Sequence, residues 1–568
     1  MKKLTVIDLF CGAGGFSEGF RQAGFDIIMG IDSWHPAIAT FNHNFGLDCK
    51  TKNILDFENS IDEIEELPDT DVIIGSPPCV TFSHSNNSGK ADKGSGILLT
   101  KVFLRIVAIK KFKKNSILKA WFMENVTNSK EHLYDQYTFK ELGLKRWAID
   151  NDQDPDQIAI VLKDHQVIVN ATDYGCPQKR KRVISGEVIE GQLRRPEIKD
   201  PISADVAGKN KDITLATIKD GLPKPNEKKN ERIIKDPLYP DIKIKTSDLT
   251  DHFYDTGLYE NEWKQSKYWK TNHPYMGRMS FPENEDQPSR TITATKIGVA
   301  REALIYRSEF NRKGDGEYRT PTIREAACIM GFPITYQFKG SEGTKWRLVG
   351  NAVCPPVSRA FAQQLRVELG MDPMFTFHVT NQVNLEDINN LNTYSTKEFN
   401  NSPTRAKNSR FRRHPFKYGN MTVTLSNYDI KKNNKCGRRW ITSVQYGSGD
   451  GFPTFNYTDK KITKIEAEIK KLEHGIKFIE IINNGFTAKI ATANELQRIY
   501  EQQKSEGQYL GPIELVEEVA TIIENLIIKE NELYENKAVI FKKKKAVPIK
   551  QLFALYAINK ICLITNKE

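Results

Sequence analysis

The sequence predicts an α/β protein whose N-terminal part is a parallel sheet with helices on both faces. Short apolar runs alternate with helix-like segments over roughly the first 185 residues. A glycine-rich turn, Gly12 to Gly15, follows the first apolar run, and polar or charged residues stand where later runs end. Strands that alternate with helices form parallel sheets, which bind ligands at the carboxyl ends of their strands.

The strands and helices of this sheet can be placed in chain order. Apolar runs predict strands at residues 4–9, 27–31, 72–74 and 119–123. Helical spacing is found over residues 97–109 and, after a long interruption, over 322–330 and 356–369. The later helices indicate that the same core resumes after an insertion.

A change of composition marks the predicted domains. From about residue 188 to 285, Pro, Lys, Asn and Asp dominate and periodicity is weak, which predicts an inserted, irregular, polar region. We therefore divide the chain into four parts: a core at 1–187, an insertion at 188–289, the return of the core at 290–372, and a further domain at 373–568.

The last domain is predicted to be mixed α+β and largely helical. Alternating runs at 421–425 and 440–446 predict a β-hairpin with basic and aromatic residues, next to the basic stretch SRFRRHPFKYG. Six apolar residues at spacings of three and four then resemble an a/d seam: Ile462, Ile465, Ile469, Leu472, Ile476 and Ile479. We expect an intramolecular helical hairpin with residues 516–533, and a dimer as the alternative.

Composition limits the class of protein. The net charge of +11 favours a polyanionic partner such as nucleic acid, because neutralising phosphates releases counterions. No apolar run reaches the roughly 20 residues that cross a bilayer, and Asp8 interrupts the first run, so a strand is expected there and not a signal peptide. The eight cysteines have neither C-x-x-C pairs nor zinc-ligand spacing, which predicts free thiols, no metal and a cytoplasmic location.

The motif DLFCGAGGF, Asp8 to Phe16, predicts a nucleoside site. A strand that enters a glycine-rich turn and then a helix lets the backbone approach a ligand closely. Asp32 ends the next predicted strand and can accept hydrogen bonds from ribose hydroxyls. The glycine spacing is not the full dinucleotide fingerprint, which disfavours NAD or FAD.

Three further motifs carry groups that could do chemistry. Cys79 follows a Pro-Pro corner at a strand end, and Glu124 follows another apolar strand at the same edge of the sheet. In DYGCPQKRKRV, strand alternation would place Gln178, Arg180 and Arg182 on one side, as a row that binds anions and carbonyls. Each motif alone also has a structural explanation: a packing cysteine, a solvated glutamate, a basic surface.

The ordered set of motifs identifies a family. DLFCGAGGF, PPC, ENV, QKRKR, RTITAT and GNAVCPPV occur in this order over residues 1 to about 370, and closely resemble the DNA (cytosine-5)-methyltransferase family. Enzymes that methylate amino groups carry Asp/Asn-Pro-Pro-Tyr where this chain has Cys79. The resemblance implies a Rossmann-like core that uses S-adenosyl-L-methionine, a target-recognition region at 188–289, and a cytosine flipped out of double-stranded DNA.

The resemblance also implies catalytic roles. Cys79 resembles the nucleophile that adds to cytosine C6, because C5 needs this activation before it can accept a methyl group. Glu124 would hydrogen-bond N3 and the exocyclic amine, and Arg182 the base carbonyl oxygen. Arg180 would hold the phosphate and the catalytic loop. The segment after Cys79 would close over the flipped base.

The remaining residues are assigned by the same resemblance. The residues expected to contact the cofactor are Phe10, Gly12, Gly14, Gly15, Asp32, Asn53, Ile54, Pro78, Leu98 or Leu99, Asn351 and Ala352. The residues expected to contact DNA are Ser83, Asn125, Gln178 and Arg290 in the core, with Arg412 and Arg413 in the last domain. Three positions depart from the family pattern: Asn53 replaces Asp, Val80 replaces Gln, and Asp32 replaces the commoner Glu.

Alternatives remain within and beyond the family. A small branch methylates tRNA, but lacks a large insertion, and a catalytically dead DNA-binding relative would not retain Cys79 and Glu124. The last domain could be an accessory DNA-binding domain, a nuclease or an assembly module. A companion restriction endonuclease is expected as a genetic and not a physical partner, while phage self-protection and orphan regulation stay open. A monomer is expected.

Overall fold

The computed structural model describes most of the chain. Its residues form two compact units, and the boundary between them in the sequence lies between Phe399 and Asn400. The first unit extends beyond the predicted boundary at 372, because the segment 396–399 packs on the first unit: Lys397 N donates to Asp255 at 2.9 Å. The described residues are 3–78, 93–188, 191–196, 213–227, 230–272, 278–294, 300–376, 396–399, 413–418, 421–427, 440–446, 454–457, 461–502, 507–526, 532–541 and 545–567.

The first unit alternates strands and helices in its N-terminal part. Its strands are β1 Thr5–Leu9, β2 Asp26–Ile31, β3 Val72–Gly75, β4 Ala120–Asn125, β5 Gln136–Thr138, β6 Ile158–Val161, β7 Gln166–Asn170, β8 Lys181–Val188, β9 Gly191–Gln192, β10 Ile233–Lys235, β11 Lys243–Lys245, β12 Tyr306–Arg307 and β13 Tyr318–Arg319. Its helices are α1 Gly15–Gln22, α2 His35–Phe45, α3 Ile61–Glu65, α4 Lys93–Phe112, α5 Lys145–Asp150, α6 Leu215–Gly221, α7 Glu260–Thr271, α8 Ile323–Ile329, α9 Glu342–Asn351 and α10 Pro355–Glu368.

The central sheet has the order β2-β1-β3-β4-β8-β7, with β9 paired to β8. The first four strands in this order are parallel, as predicted. Strand β8 runs antiparallel to both of its neighbours, β4 and β7, so the sheet is mixed and not purely parallel. The chain passes from β1 to neighbours on both sides, which makes the carboxyl ends of β1 and β3 a topological switch point. The predicted α/β, Rossmann-like fold class is confirmed.

The two ends of the first unit form one core. Helix α10 packs on α1 at Gly19, where an added Cβ would lie 2.4 Å from Arg359 N and from Pro355 O. The Ser358 hydroxyl donates to Phe16 O, and Asn44 donates to Gln337 O at 2.8 Å. Residues 290–372 therefore return to the same core. The close contact between the two helices is possible because Gly19 has no side chain.

The insertion contributes to that core more than its polar composition indicated. Leu238, Tyr239 and Phe253 are buried in the same cluster as Phe16. The Tyr239 hydroxyl also donates to Gly331 O at 2.6 Å. The prediction of an irregular region holds for the long stretches between short elements. The insertion does not have a separate core, because most of its buried apolar residues belong to the cluster that contains Phe16.

The second unit has its own core and its own sheet. Its strands are β14 Arg413–Tyr418, β15 Met421–Ser426, β16 Ile441–Tyr446, β17 Thr454–Tyr457, β18 Leu533–Glu535 and β19 Ala546–Pro548, and its helices are α11 Ile462–Ile469, α12 Gly475–Asn483, α13 Ala493–Gln502, α14 Pro512–Asn525 and α15 Ile549–Thr565. The predicted hairpin is present as β15 and β16 within the four-stranded antiparallel sheet β14-β15-β16-β17. Helix α15 is almost wholly buried against it.

The predicted continuous a/d seam is wrong. Helix α11 ends at Ile469 and α12 begins at Gly475, with His474 between them in the left-handed conformation (φ 63°). A Cβ at Gly475 would lie 1.8 Å from Ile469 O, so the turn packs too closely for any larger residue. Because the turn resets the helical phase, Ile479 is buried while Ile476 is 60% exposed.

The predicted partner helix is shorter than the pattern suggested. Helix α14 covers Pro512–Asn525 and packs against α12, whereas Leu533 begins strand β18. Leu533 was predicted to end the helix because of the apolar run alone, but it pairs with strand β19 as part of β18.

Among the residues that the structure describes, no helix is long and apolar enough to cross a membrane. No group of three His, Cys, Asp or Glu side chains in the described part could hold a metal ion.

Candidate active site

A cavity of about 380 Å³ opens at the carboxyl ends of the four parallel strands. Each of these strands contributes to its wall immediately after it ends or at its last residues. The lining residues are Phe10, Cys11, Gly12, Ala13, Phe16, Asp32, Ser33, Trp34, Asn53, Ile54, Leu55, Ser76, Pro77, Pro78, Leu99, Glu124, Arg347, Leu348, Asn351, Ala352 and Val353. This is where a parallel α/β sheet is expected to bind its ligand.

The first turn leaves room for a ligand beside its backbone. Phe10 and Gly12 both have positive φ, 64° and 52°, and a Cβ added at Gly12 would have no atom within 4 Å. Gly14 also has positive φ, 87°, but faces Phe45 and Tyr336, and Gly15 lies against Val353 O. Gly12 therefore borders the cavity, whereas Gly14 and Gly15 allow helix α1 to pack closely.

Asp32 presents a carboxylate to the cavity and is itself held by the backbone. One carboxylate oxygen accepts from Gly12 N at 3.0 Å and the other from Trp34 N at 2.8 Å. Burial raises the pKa of Asp32, and these N–H donors and the nearby Arg347 partly offset that rise. The Arg347 guanidinium lies 4.5 Å from the centre of the Trp34 ring. The carboxylate is thus oriented to accept further donors, such as ribose hydroxyls.

Asp8, in the same motif, has a structural environment and does not reach the cavity. Its side chain is fully buried, and one carboxylate oxygen accepts from the Ser17 hydroxyl at 2.6 Å. Burial raises the pKa of Asp8 to about 8, and the charge of Asp32 adds to the effect. The Asp8 side chain thus joins β1 to helix α1.

Glu124 and Arg182 form an ion pair next to the cavity. Glu124 is near the end of β4 and Arg182 near the start of the antiparallel strand β8, and Arg182 Nε lies 2.9 Å from Glu124 Oε1. The side chains are 9% and 16% exposed, respectively. Glu124 borders the 380 Å³ cavity and also a small adjoining cavity that Arg180 and Arg182 line. The family resemblance assigned both residues to one base, and the structure places the two side chains together.

Gln178 and Arg180 point into the protein and do not form a row with Arg182. Strand β8 starts only at Lys181, so strand alternation does not include Gln178 and Arg180. Gln178 is fully buried and accepts from Ile292 N at 2.9 Å. Arg180 donates to the carbonyls of Ile292, Gly350 and Ala352 at 3.1, 3.2 and 3.0 Å. Both side chains therefore join the returning segment to the sheet, which leaves Gln178 unable to reach DNA.

Asn125 is also internal, contrary to its predicted contact with DNA. It is 1% exposed, its amide donates to Pro77 O at 3.4 Å, and its oxygen accepts from Val126 N at 2.8 Å. Asn125 thus helps to hold the Pro-Pro corner next to Glu124. Cys79, Val80 and Ser83 lie outside the described residues, which end here at Pro78 in the cavity wall.

Arg290 is committed to an internal ion pair. Its Nε lies 3.0 Å from Glu283 Oε2, and Lys270 Nζ donates to the same carboxylate at 3.1 Å. Because Glu283 and Lys270 are buried, this cluster ties helix α7 to the returning core. The contact of Arg290 with DNA stays a prediction, since its side chain is 25% exposed beside this pair. Arg412 and the side chain of Arg413 lie outside the described part of the chain.

Most residues expected at the cofactor line the cavity. The eight that do are Phe10, Gly12, Asp32, Asn53, Ile54, Pro78, Asn351 and Ala352. Leu99 lines it in place of Leu98. Asn53 uses its side-chain oxygen to cap the following 3₁₀ turn, at 3.1 Å from Leu55 N, a role that Asp would fill equally well.

Sequence reasoning missed several wall residues. Trp34 and Arg347 are the most informative, because they stack on each other beside Asp32. Their positions, two residues after Asp32 and four before Asn351, are the only signal that could have found them. The other missed residues are Cys11, Ala13, Phe16, Ser33, Leu55, Ser76, Pro77, Leu348 and Val353.

The cavity fits the nucleoside part of S-adenosylmethionine. Its volume is in the range of small-ligand sites, roughly 300–1,000 Å³. Gly12 leaves open space where a Cβ would point, and Asp32 supplies a buried carboxylate for hydroxyl donors. Trp34 and the apolar side chains of Ile54 and Leu99 supply surfaces for a planar base and for the apolar part of the ligand.

We expect Gly12→Ala to weaken cofactor binding. The added methyl would enter the cavity, and crowding of this kind costs about 1–3 kcal/mol, or roughly tenfold or more in affinity. Gly46→Ala is the matched control: Gly46 also has positive φ (67°), is exposed and has open space at its Cβ, but lies outside the cavity. Both variants should lose similar thermal stability, while calorimetric titration with S-adenosylhomocysteine should show weakened binding for Gly12→Ala alone. Equal affinities in the two variants would contradict this role of Gly12.

Comparison with known proteins agrees with this site. The sequence profile of the C-5 cytosine-specific DNA methylase family matches residues 4–366. The type II methyltransferase M.HgiDI of Herpetosiphon aurantiacus is 29% identical over 363 residues, which cover 63% of this chain and 92% of the relative. M.DdeI of Desulfomicrobium norvegicum is 27% identical over 403 residues, covering 64% and 88%. M.HgiGI of Herpetosiphon aurantiacus is 39% identical over 129 residues, covering 22% and 94%.

The profile includes all four strand ends that form the cavity and also the returning segment that closes it. The profile ends at residue 366 and does not include the second unit. The chain therefore belongs to the C-5 cytosine-specific DNA methylase family: it is a DNA (cytosine-5)-methyltransferase that uses S-adenosylmethionine.

Proposed function

We propose that this enzyme methylates C5 of a flipped-out cytosine, within a specific sequence of double-stranded DNA, through a covalent adduct between Cys79 and C6. The observation that carries the proposal is the position of the Glu124–Arg182 ion pair. It borders the cofactor cavity and lies beside the Pro77–Pro78 corner, directly after which the chain carries Cys79.

A nucleophile is needed because C5 of cytosine is a poor nucleophile. Addition of the Cys79 thiolate to C6 forms a carbon–sulfur bond and moves the electron pair of the C5–C6 double bond towards C5. This role is supported by Pro78, which precedes Cys79 in the sequence and is part of the cavity wall. The fixed backbone torsion of two prolines gives the thiol a rigid attachment.

Glu124 and Arg182 are suited to bind the base during that addition. Glu124 would contact N3 and the exocyclic amine, and Arg182 the carbonyl oxygen, so charge that develops on the ring is stabilised. Their mutual ion pair orients both side chains in advance, which avoids reorganisation as the reaction proceeds. Arg180 acts as a positioning residue in this proposal, because it is bound to three carbonyls of the returning segment.

The cofactor supplies an electrophilic methyl group when it is bound. The residues of this chain hold the two reactants: the first turn and Asp32 would bind the nucleoside, and Pro78 and Glu124 are in the part of the wall where the base would meet the cofactor. After methyl transfer to C5, loss of the C5 proton and departure of the Cys79 thiolate restore the aromatic ring. A cytosine within a duplex cannot reach such a pocket, so the base must leave the helix.

The insertion is proposed to read the DNA sequence, and the relatives suggest the biological setting. Several of them are type II methyltransferases, so we propose a role in a restriction–modification system whose endonuclease is a genetic and not a physical partner. We further propose that the enzyme acts as a monomer in the cytoplasm. The buried seam residues of α11 and α12 support a monomer, because they are used within the second unit.

The proposal is tested by measuring methyl transfer to nucleic acid, first in cells and then in vitro. The full-length protein is expressed in a host without cytosine methylation, and bisulfite sequencing should reveal protected cytosines within one recurring DNA sequence. Labelled methyl from S-adenosylmethionine should then enter a duplex with that sequence and not transfer RNA. Labelling of tRNA alone, or no labelling of either substrate, would overturn the proposal.

A further inference from the structure

Helix α9 brings a cationic side chain from the returning core to the cofactor cavity. Arg347 and Asn351 are four residues apart on this helix, so they lie on one face of it, and both line the cavity. The other side of the helix is fixed by an ion pair, since Lys345 Nζ donates to Asp251 at 2.6 Å and both side chains are fully buried. The backbone that carries Arg347 is therefore held firmly beside the cavity.

The guanidinium of Arg347 lies over the Trp34 ring, at the end of the cavity where Asp32 lies. Its Cζ atom is 4.5 Å from the centre of the ring. The backbone N of Trp34 donates to the Asp32 carboxylate at 2.8 Å, so the ring is attached directly beside that carboxylate. Burial raises the pKa of Asp32, and the charge of Arg347 is near enough to offset part of the rise. Trp34 thus connects the guanidinium to the carboxylate.

The N–H groups of Arg347 are available to a ligand. A guanidinium has five N–H donors in its plane, so contact between its face and an aromatic ring leaves them accessible. Within the described part of the chain, none of these donors is engaged in a hydrogen bond or an ion pair. Arg347 is exposed, whereas the adjacent Leu348 is buried. Among the described residues that line the cavity, Arg347 is also the only Lys or Arg.

Asp32 and Arg347 together suit the hydroxyls of a ribose. A carboxylate only accepts hydrogen bonds and a guanidinium only donates them, while a hydroxyl does both. A ribose hydroxyl that donates to Asp32 therefore keeps lone pairs that can accept from Arg347. Neither residue alone can satisfy both functions of the hydroxyl.

The carboxylate of the methionine part is the competing partner for this guanidinium, and the order of the sheet disfavours it. Asp32 directly follows β2, whereas Glu124 lies near the end of β4, and β1 and β3 separate these two strands. Three strand spacings of about 4.8 Å place the two strand ends roughly 14 Å apart. In the proposed reaction the methyl group meets the base beside Glu124, so the sulfonium belongs towards that side. The ribose is then the part of the cofactor that belongs at Asp32.

We propose that Arg347 donates a hydrogen bond to a ribose hydroxyl of S-adenosylmethionine, which in turn donates to Asp32, and that Trp34 is the positioning residue that orients the guanidinium. Binding of the cofactor thereby joins two distant parts of the chain, the end of β2 and helix α9 of the returning core. The inference rests on the proposed place of the ribose at Asp32, and it does not involve Cys79.

The experiment measures binding of cofactor analogues to the full-length protein without DNA. Calorimetric titrations use S-adenosylhomocysteine, its 2′-deoxy and 3′-deoxy analogues, and 5′-methylthioadenosine, which has the ribose but lacks the amino-acid part. The variants are Arg347→Gln and, as the matched control, Arg307→Gln. Arg307 is also exposed and lies over an aromatic ring, with its Cζ 5.9 Å from the centre of the Tyr318 ring, but it does not line the cavity.

Arg347→Gln should weaken binding of S-adenosylhomocysteine about tenfold, at the lower end for a hydrogen bond from a charged donor. The same factor should apply to 5′-methylthioadenosine. For the deoxy analogue that lacks the accepting hydroxyl, the factor should shrink to less than about twofold. Arg307→Gln should bind every ligand like the parent. A loss confined to S-adenosylhomocysteine and its deoxy analogues would assign Arg347 to the methionine carboxylate and overturn the proposal, as would the full loss with every ligand or no loss at all.

Asp32→Ala tests the place of the ribose separately. Its loss of affinity should also shrink with the deoxy analogue that lacks the shared hydroxyl. If this dependence is seen in Asp32→Ala alone, the ribose is at Asp32 and the role of Arg347 is rejected, whereas its absence from both variants rejects both roles. Since no methyl transfer is measured, failure of the proposed covalent mechanism would not imitate these outcomes.

The positioning role of Trp34 is tested by replacing its ring. Trp34→Phe keeps an aromatic face for the guanidinium and should retain most of the affinity for S-adenosylhomocysteine, whereas Trp34→Leu should lose it. In the Trp34→Leu background, the further change Arg347→Gln should cost less than about threefold, because the guanidinium is no longer oriented and the two effects are coupled. A tenfold cost of Arg347→Gln in both backgrounds would reject the role of Trp34.

Discussion

Replacing Cys79 by alanine is expected to abolish methyl transfer, with a loss on the order of 10⁴-fold or more in kcat. Without the thiolate no bond forms to C6, and C5 does not become nucleophilic, so the chemical step lacks its intermediate. Binding of DNA and of S-adenosylhomocysteine should remain close to that of the parent. The rate of labelled methyl incorporation into the duplex identified by bisulfite sequencing measures the effect.

A matched cysteine variant and a trapping experiment make the result specific. Cys49→Ser is the control, since Cys49 is a free, half-buried cysteine outside the cavity and its replacement can still accept from Gly30 N. It should retain near-parental kcat. A duplex with fluorine at the target C5 cannot lose the proton that releases the enzyme, so the parent should form a complex that survives denaturation. Such a complex with Cys79→Ala, or a kcat near that of the parent, would contradict a nucleophilic Cys79.

Breaking the Glu124–Arg182 pair should give the second large effect. We expect Glu124→Gln and Arg182→Gln each to lower kcat by about 10²- to 10⁴-fold, because a positioned group that stabilises developing charge is lost. The double variant should lose less than the product of the single losses, since either change alone disturbs the partner that remains. Single-turnover methyl transfer at saturating DNA and cofactor measures the chemical step.

Loss of stability must be separated from loss of catalysis. Glu187 provides the control, because it is on the same strand β8 and pairs with Lys111 at 2.9 Å with 12% and 17% exposure, close to the values of the catalytic pair. Removing one partner of a buried ion pair costs about 3–5 kcal/mol, so Glu187→Gln and Glu124→Gln should both lower the melting temperature. A comparable loss of kcat in Glu187→Gln would show that the effect at Glu124 is structural.

The candidate site could be predicted where its residues belong to short motifs at the ends of predicted strands. The turn at Gly12 and the carboxylates of Asp32 and Glu124 all follow from residues at strand ends, and strand ends can be recognised from short apolar runs. Trp34 and Arg347 were missed because neither belongs to a pattern that local spacing can reveal. They meet only when the chain returns to the core after the insertion.

The direction in which a polar side chain faces was not predictable from its motif. Gln178 and Asn125 have the residue types that bind DNA, yet each is buried and hydrogen-bonded inside the protein, to Ile292 or to Pro77. These partners lie 114 and 48 residues away in the chain. Whether such a side chain is buried depends on the packing of distant segments, which a motif does not encode.

Order and residue type in the sequence alone determined the family, the cofactor class and the α/β core, because these depend on short motifs and on the spacing of apolar residues. Tertiary structure alone decided that the insertion shares the core of the first unit, that the seam at Ile469 and Gly475 breaks into two helices, and that Gln178 and Asn125 are buried. Each of these depends on contacts between residues far apart in the chain, where close packing and strand register, and not local preference, select the conformation.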